Sequence, residues 1–356
     1  MMNKLQKIEI NRYRGIKNMT LDNLSRVNVL IGENNSGKTS ILEAIQLLSD
    51  PFSESLLLDI VFRRLRGTIV NYDFKKEEVY NWIFPHDKGQ QPIVLSLLLD
   101  DVQTFVRLEL FEQEFVDVDR FMKSKGSFVS GEAPTYIERE VHVKINEKEK
   151  IMKLSGKLPK QNNSENLLYE VTHIIDVSNF RFITVEQVDA VIFDQKKDKL
   201  IEILKQFDRE IIGIETISVF KNNQIYIQKK IKKDNREVLY LMPLSSFGDG
   251  LQKIVYIASK LLNVQDGVLL LDEAEVGIHT KMIPTFFEWL SKLAEDHNVT
   301  IFMTTHSLEA VDGILAANKE SLKNLSFYRL EKNKAKWLSG QRMYEMRYNF
   351  AMEVRG

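Results

Sequence analysis

The run Gly32-Glu33-Asn34-Asn35-Ser36-Gly37-Lys38-Thr39 has the G-x-x-x-x-G-K-[ST] spacing of a loop that holds phosphate. Glycines let successive backbone N–H groups curl around a β-phosphate, and a helix start adds partial positive charge at the same point. Lys38 would then bridge the β- and γ-phosphates. Thr39 would offer its hydroxyl to Mg2+, an oxygen-seeking ion that keeps several waters and takes one or two protein ligands. The candidate nucleotide-binding set is therefore Gly32, Asn34, Asn35, Ser36, Gly37, Lys38, Thr39 and Ser40.

Binding a nucleotide does not hydrolyse it, because an attacking water must be oriented and transition-state charge neutralised. Two later segments supply groups for that work. Val268-Leu269-Leu270-Leu271-Asp272-Glu273 is an apolar run ending in two acids: Asp272 would ligate Mg2+ or accept from one of its waters, and Glu273 would polarise the attacking water. Thr300-Ile301-Phe302-Met303-Thr304-Thr305 likewise runs into His306-Ser307, where the imidazole would donate to a γ-phosphate oxygen. Lys38, Glu273 and His306 are thus the candidate catalytic residues, and Thr39 and Asp272 the candidate metal ligands. Between these motifs, Leu244-Ser245-Ser246-Phe247-Gly248-Asp249-Gly250 is a Ser and Gly cluster entering a helix. It is a second anion-binding helix start, suited to gripping a γ-phosphate from the other side in a second copy, with Ser246, Gly248 and Asp249 as its residues.

These groups need elements that aim them. Val27 to Ile31 is a buried strand running into Gly32, and Thr39 to Leu48 has helical apolar spacing, so strand, loop and helix follow directly. Leu56 to Arg66 reads as a second helix. Leu5 to Ile10 alternates like a half-buried strand and turns through Arg14-Gly15-Ile16 into a hairpin; Val94 to Leu110 and Tyr136 to Leu154 continue an antiparallel sheet. Lys157 to Glu165 is polar and reads as a mobile loop, and Ile174 to Val177 as a strand. Val188 to Phe207 reads as helix, and Gln224 to Ile231 with Glu237 to Met242 as a hairpin around Lys233-Asp234-Asn235. Phe247 to Leu262 and Lys281 to Leu293 are helical, and Val268 to Leu271 and Val299 to Met303 are buried strands. A strand over Leu325 to Leu330 and a helix over Tyr344 to Met352 close the chain. The fold class is α/β, with a central mainly parallel sheet, an N-terminal antiparallel sheet and an inserted α+β region. The expected organisation is an N-terminal lobe over 1-93 carrying the phosphate loop, an insertion over 94-242, and a C-terminal lobe over 243-356 with the remaining motifs.

Composition excludes much else. Lys plus Arg total 49 against 50 Asp plus Glu, so net charge gives no general pull toward polyanions. Zero cysteines remove thiolate metal sites, disulfides and thiol nucleophiles, as suits a reducing compartment. The apolar windows at Ile93 to Leu99 and Val268 to Leu271 are far shorter than the roughly 20 residues that span a bilayer. Charges in Met1 to Ile10 argue against a secretory signal. A cytoplasmic protein without a membrane partner is expected.

In this order, the phosphate loop, Ser246-Phe247-Gly248-Asp249-Gly250, Leu271-Asp272-Glu273, Gly277-Ile278-His279 and Thr304-Thr305-His306-Ser307 resemble the ABC-type ATPase heads of the SMC, RecF and OLD group. The resemblance covers both ends of the chain. Ile8 to Ile16 also looks like that group's opening hairpin, whose basic residues lie near the nucleotide, which implies a place for Arg14. It further implies Lys38 and Thr39 in Walker A, Asp272 and Glu273 in Walker B, Glu275 to His279 as D-loop and His306 as switch histidine. The signature serine is Ser245 or Ser246, where transporter heads read Ser-Gly-Gly-Gln, and Gln90-Gln91 stands near the place of a Q-loop. Such heads dimerise head-to-tail around two ATP molecules, so ATP and Mg2+ are the implied cofactors and a homodimer or higher homo-oligomer through the ATP sites the implied assembly.

Nothing between Leu110 and Ile231 sustains the heptads of long SMC arms. About fifty residues follow His306, too few for an appended nuclease domain, so the ATPase alone is expected. That shape looks like the stand-alone OLD-like AAA ATPases of bacterial anti-phage defence systems, in which a separately encoded toxin or nuclease is held or released. The leading expectation is an ATP-hydrolysing switch for such an effector. The alternative is a RecF-like repair ATPase that takes nucleic acid through the basic run Lys229-Lys230-Ile231-Lys232-Lys233-Asp234-Asn235-Arg236.

Overall fold

The structure, a computed structural model, describes residues 5–65, 83–85, 91–116, 135–153, 171–175, 183–219, 222–233, 236–263, 266–331 and 334–354. The described residues pack as two units, one drawn from 21–42 and 169–356, the other from 5–20 and 43–168.

The first unit is organised by a sheet in the order β15-β14-β3-β13-β12-β8. Its strands are β3 (Val27–Ile31), β8 (Val171–Ile175), β12 (Val268–Leu271), β13 (Thr300–Thr305), β14 (Leu325–Glu331) and β15 (Lys334–Ser339). β3 lies between β13 and β14 and runs parallel to both, with Val27 opposite Ile301 on one side and Leu325 on the other. β12 and β8 continue the parallel arrangement, and β15 returns antiparallel on β14. Every residue of β3 and β12 is buried, as parallel strands covered on both faces require. The one polar residue in β3, Asn28, is fully buried and fully used. Its amide nitrogen donates to the carbonyls of Ser25 and Ile301 and its oxygen accepts from Ser25 N, which ties β3 to β13.

Helix α1 (Lys38–Ser49) opens directly after the loop that follows β3, and α2 (Glu54–Leu65) comes next in the chain. In the first unit, α3 (Val185–Phe193) and α4 (Lys197–Phe207) contribute Val188, Val191, Leu200 and Leu204 to the same core. The sheet β11-β10-β9 contributes Ile211, Ile214 and Ile227. It consists of β9 (Ile211–Val219), β10 (Asn222–Lys233) and β11 (Arg236–Pro243). Helices α5 (Asp249–Leu261), α6 (Ile283–Asp296) and α7 (Leu308–Ala317) bury Ile254, Val255, Phe286, Phe287, Leu290 and Ile314 against Val29, Leu269, Leu271 and Met303. The chain closes with α8 (Gly340–Tyr344) and a π-turn over Glu345–Asn349.

The second unit is an antiparallel sheet in the order β2-β1-β4-β5-β6-β7. Its strands are β1 (Leu5–Tyr13), β2 (Ile16–Leu21), β4 (Ile93–Leu99), β5 (Val102–Val116), β6 (Thr135–Ile145) and β7 (Lys148–Lys153). Asp100 (φ 48) and Asp101 (φ 64) are both left-handed, which is the backbone that a two-residue turn between twisted strands needs.

The α/β expectation with a mainly parallel central sheet holds, and so does the hairpin of β10 and β11, which pair from Tyr226 with Pro243 to Lys233 with Arg236. Three local expectations change. The helix expected over Val188 to Phe207 is two helices, broken where Gln195 adopts φ 58 within a polar run. The closing helix expected over Tyr344 to Met352 starts earlier, at Gly340, and gives way to the π-turn. β15 is a strand that the alternation does not predict, because the adjacent apolar residues Trp337 and Leu338 break it. The loop expected over Lys157 to Glu165 and residue Val177 lie outside the described residues.

Candidate functional site

The phosphate loop leaves β3 at Ile31 and enters α1 at Lys38. Its bend depends on two left-handed residues, Asn35 (φ 66) and Gly37 (φ 93). Gly32 is required for a different reason: a Cβ there would meet Ser36 Oγ at 2.8 Å. The turn is closed by Ser36 N donating to the Glu33 carbonyl at 3.3 Å and Ile41 N to the Gly37 carbonyl at 3.0 Å.

Lys38 is buried, and its Nζ donates to the carbonyls of Gly32 and Glu33, each at 2.7 Å. Those are neutral acceptors, which a charged phosphate oxygen outcompetes. Burial pushes the Lys38 ammonium below the ordinary lysine range, and Asp272, Glu273 and Glu275 oppose that shift. Ser36 Oγ is buried without a hydrogen-bond partner in the protein, so this cradle holds a polar group able to meet a ligand.

Thr39 Oγ1 donates to Asp272 Oδ2 at 2.8 Å, which brings the two candidate metal ligands together from α1 and the end of β12. The other oxygen, Asp272 Oδ1, accepts from Thr304 Oγ1 at 2.6 Å. The same threonine hydroxyl accepts from Glu273 N at 2.8 Å, so one side chain of β13 fixes both neighbouring acids. A hydroxyl, a carboxylate and phosphate oxygens are the hard donor set of Mg2+, and the residues present fit that ion. Among the described residues no cluster of three or more His, Cys, Asp or Glu could hold a metal ion.

Glu273 adopts φ 48, a left-handed conformation that a non-glycine residue keeps only where its surroundings over-determine it. His306 follows β13 directly and is capped from behind: Ser307 starts α7 by accepting from Ala310 N at 3.2 Å. His306 Nδ1 stands 3.8 Å from Glu273 Oε1 and 3.9 Å from Glu275 Oε1. Glu275 is buried, with Oε1 accepting from Thr305 Oγ1 at 2.7 Å and Oε2 without a hydrogen-bond partner.

Thr39, Asp272, Glu273 and His306 are therefore linked by one chain of contacts through Thr304 of β13, and Lys38 adjoins Thr39 at the head of α1. Thr304 and Glu275 join them; both stand within quoted motifs, but neither is assigned this role there. The signal for Thr304 was its place opposite Leu30 at the loop end of β13, which only strand pairing discloses.

Ser245, Ser246 and Gly248 are exposed at the head of α5, where Gly248 is the N-cap and Asp249 the first helical residue. This cluster reaches the segment after β12 through Gly250, where a Cβ would lie 2.8 Å from the Gly277 carbonyl oxygen. His279, in the expected D-loop, accepts from Lys281 N at 3.3 Å and caps a short helical turn. Arg14 lies in the second unit, paired with Glu43 Oε2 at 3.0 Å. Gln91, also in that unit, accepts from Arg12 Nη1 at 2.5 Å, and Gln90 is outside the described residues. In the basic run, Lys229 sits between Asp208 and Glu210 at 2.8 Å each, and Lys230 pairs with Glu237 at 2.5 Å. Lys229 and Lys230 are thus neutralised locally. Among the described residues no helix is long and apolar enough to cross a membrane.

The family described as "AAA domain, putative AbiEii toxin, Type IV TA system" matches residues 27–312. An ATP/GTP phosphatase of Helicobacter pylori is 23% identical over 337 residues, 86% of this chain and 86% of that one. The DNA replication and repair protein RecF of Teredinibacter turnerae is 36% identical over 83 residues, 23% of this chain and 20% of that one. Among solved structures, the SMC head domain from Thermotoga maritima aligns with 94% of this chain and 98% of its own at 13% identity and a TM-score of 0.45. The recombination mediator protein RecF bound to ATP aligns with 95% of this chain and 98% of its own, at 13% identity and a TM-score of 0.45.

Proposed function

The chain belongs to the AAA-domain family whose model it matches, with the motif order of an ABC-type ATPase head of the SMC and RecF group, and from that membership we propose a Mg2+-dependent ATP hydrolase that works as a switch. The observation that carries this reading is the double anchoring of Asp272. Thr39 and Thr304 hold its two oxygens and place it between the phosphate loop and Glu273.

Lys38 binds the β- and γ-phosphates by exchanging two carbonyl acceptors for phosphate oxygens. Thr39 and Asp272 would hold Mg2+, which supplies charge neutralisation at the bridging phosphates when bound. Glu273 accepts a proton from the attacking water as it orients it, and His306 donates to the γ-phosphate. The exposed start of α5 at Ser246, Gly248 and Asp249 grips the γ-phosphate bound in a second copy, so hydrolysis requires two heads closed around two nucleotides. Closing and opening change the surface offered to a separately encoded effector, a toxin or nuclease, in anti-phage defence. The family's description, which names a putative toxin and a toxin–antitoxin system, supports that setting.

The test is hydrolysis by the purified chain with ATP and Mg2+, and co-purification with the products of adjacent genes with and without ATP. Absence of Mg2+-dependent phosphate release would refute the enzyme reading, and absence of an ATP-dependent partner would refute the switch. The RecF-like alternative draws on the local match to a RecF protein. The ion pairs of Lys229 and Lys230 count against it.

A further inference from the structure

A lysine in the second turn of an amphipathic helix ordinarily faces water. Lys253, on α5, is 0% exposed. Its ammonium points into the segment that follows β12 and donates to the carbonyls of Glu273 at 3.1 Å, Ala274 at 2.8 Å and Val276 at 2.9 Å. Three carbonyls match the three N–H donors of an ammonium. Burying a cation is costly unless such partners meet it, so this lysine and this loop conformation require each other.

The same helix face touches the loop again one turn earlier. Gly250 lies against the Gly277 carbonyl so closely that a Cβ would stand 2.8 Å away, and Gly277 itself adopts φ +83. Asp249 and Gly250 precede Lys253 by four and three residues, which places all three on one side of α5. The loop 273–277 is therefore clamped to the helix at both ends.

One end of that clamp is the peptide of Glu273. Its N–H is held by Thr304 Oγ1 at 2.8 Å and its carbonyl by Lys253, and between them they maintain the left-handed φ of 48. The other end is the head of α5.

We propose that Lys253 is the positioning residue for Glu273: it makes the start of α5 and the water-orienting carboxylate parts of one rigid body, so contact at Ser246–Asp249 sets where Glu273 points. The proposal rests on the hydrolase reading above. It adds a route by which a second copy, on touching the head of α5, licenses hydrolysis in the first. Lys253 meets the carbonyls of Glu273, Ala274 and Val276 and acts through the backbone.

The test is a double-mutant cycle on the full chain. Lys253→Met keeps the length of the side chain and removes the donors. It is expected to leave ATP binding, followed with a fluorescent ATP analogue, within about twofold of wild type and to lower kcat about tenfold to a hundredfold, the loss a misplaced reacting group produces. In a Glu273→Gln background the same substitution is expected to cost no further rate, because the group it positions is already disabled. Losses that multiply in the double variant, an unchanged kcat, or ATP binding lost together with kcat would overturn the proposal. Should Lys253→Met not fold, Lys253→Arg, which retains charge and donors in a different geometry, is read in the same cycle by the same criteria. A wild-type chain that hydrolyses ATP while the cycle is additive refutes the positioning role alone. A wild-type chain that does not hydrolyse ATP refutes the reading beneath it.

Discussion

Thr304 Oγ1 donates to Asp272 Oδ1 at 2.6 Å and accepts from Glu273 N at 2.8 Å, so a single hydroxyl on β13 orders the two acids at the end of β12. Replacing it by the isosteric valine leaves a carboxylate oxygen and a backbone N–H without this partner. Thr304→Val should cost about 1–3 kcal/mol of stability in denaturant unfolding, the usual penalty for an abandoned buried polar group. It should also raise the Mg2+ concentration needed for half-maximal ATPase. An unchanged Mg2+ titration would show that Thr304 does not orient Asp272.

Glu273→Gln keeps the side chain's size and removes its ability to take a proton. ATP binding should persist, turnover should fall by about 10²-fold or more, and ATP-dependent dimers should accumulate in light scattering. Lys38→Ala, in contrast, should weaken nucleotide binding itself, measured by the same fluorescent analogue. ATP affinity unchanged in the alanine variant would remove the phosphate loop from the site.

Lys38 gives the site a pH signature. Burial lowers the pKa of its ammonium from the ordinary lysine value, so the unliganded protein loses that charge at a lower pH than an exposed lysine would. Bound phosphates favour the charged form and raise the pKa again. The alkaline limb of kcat/KM, which reports the free protein, should therefore fall at lower pH than the limb of kcat. For folding the sign is opposite: between the lowered folded pKa and the unfolded pKa, the unfolded chain binds more protons, so this group's contribution to stability rises with pH. Coincident limbs in the two rate profiles would contradict the assignment.

The close approach of Gly250 to the Gly277 carbonyl predicts that Gly250→Ala forces the head of α5 away from the loop. A lower midpoint of thermal unfolding together with reduced ATPase is expected. A variant as active and stable as wild type would mean that α5 and the loop are free to separate.

The basic hairpin offers a test of the nucleic-acid alternative. With Lys229 and Lys230 already paired to carboxylates, ATPase should show no DNA stimulation that falls steeply with salt. Steep salt-dependent stimulation, lost in a Lys232→Ala variant, would favour the RecF-like reading.

The sequence made β3, its loop and α1 legible because glycine spacing, an apolar run and a helical period all coincide within residues 27–49. The ends of β12 and β13 were legible for the same reason, each being a short apolar strand stopped by polar residues. Thr304 and Lys253 were not. A threonine at a strand end and a lysine in a helix have bland local meanings, and only the pairing of β12 with β13 and the burial of one face of α5 give them roles. The break between α3 and α4 was carried by a polar run that helical periodicity tolerates, so the left-handed Gln195 left no separate mark.

The strand that launches the phosphate loop ends at Ile31, yet its two neighbours in the sheet begin at Thr300 and Leu325. Roughly 270 residues must leave the ribosome between β3 and the first of these neighbours, which at ordinary synthesis rates means tens of seconds. Throughout that interval the nascent chain carries an unpaired Val27–Ile31 segment, apolar except for Asn28, that needs shielding. The nucleotide cradle is thus assembled late, and a message cut short before codon 300 would yield a product with the loop but no frame to hold it.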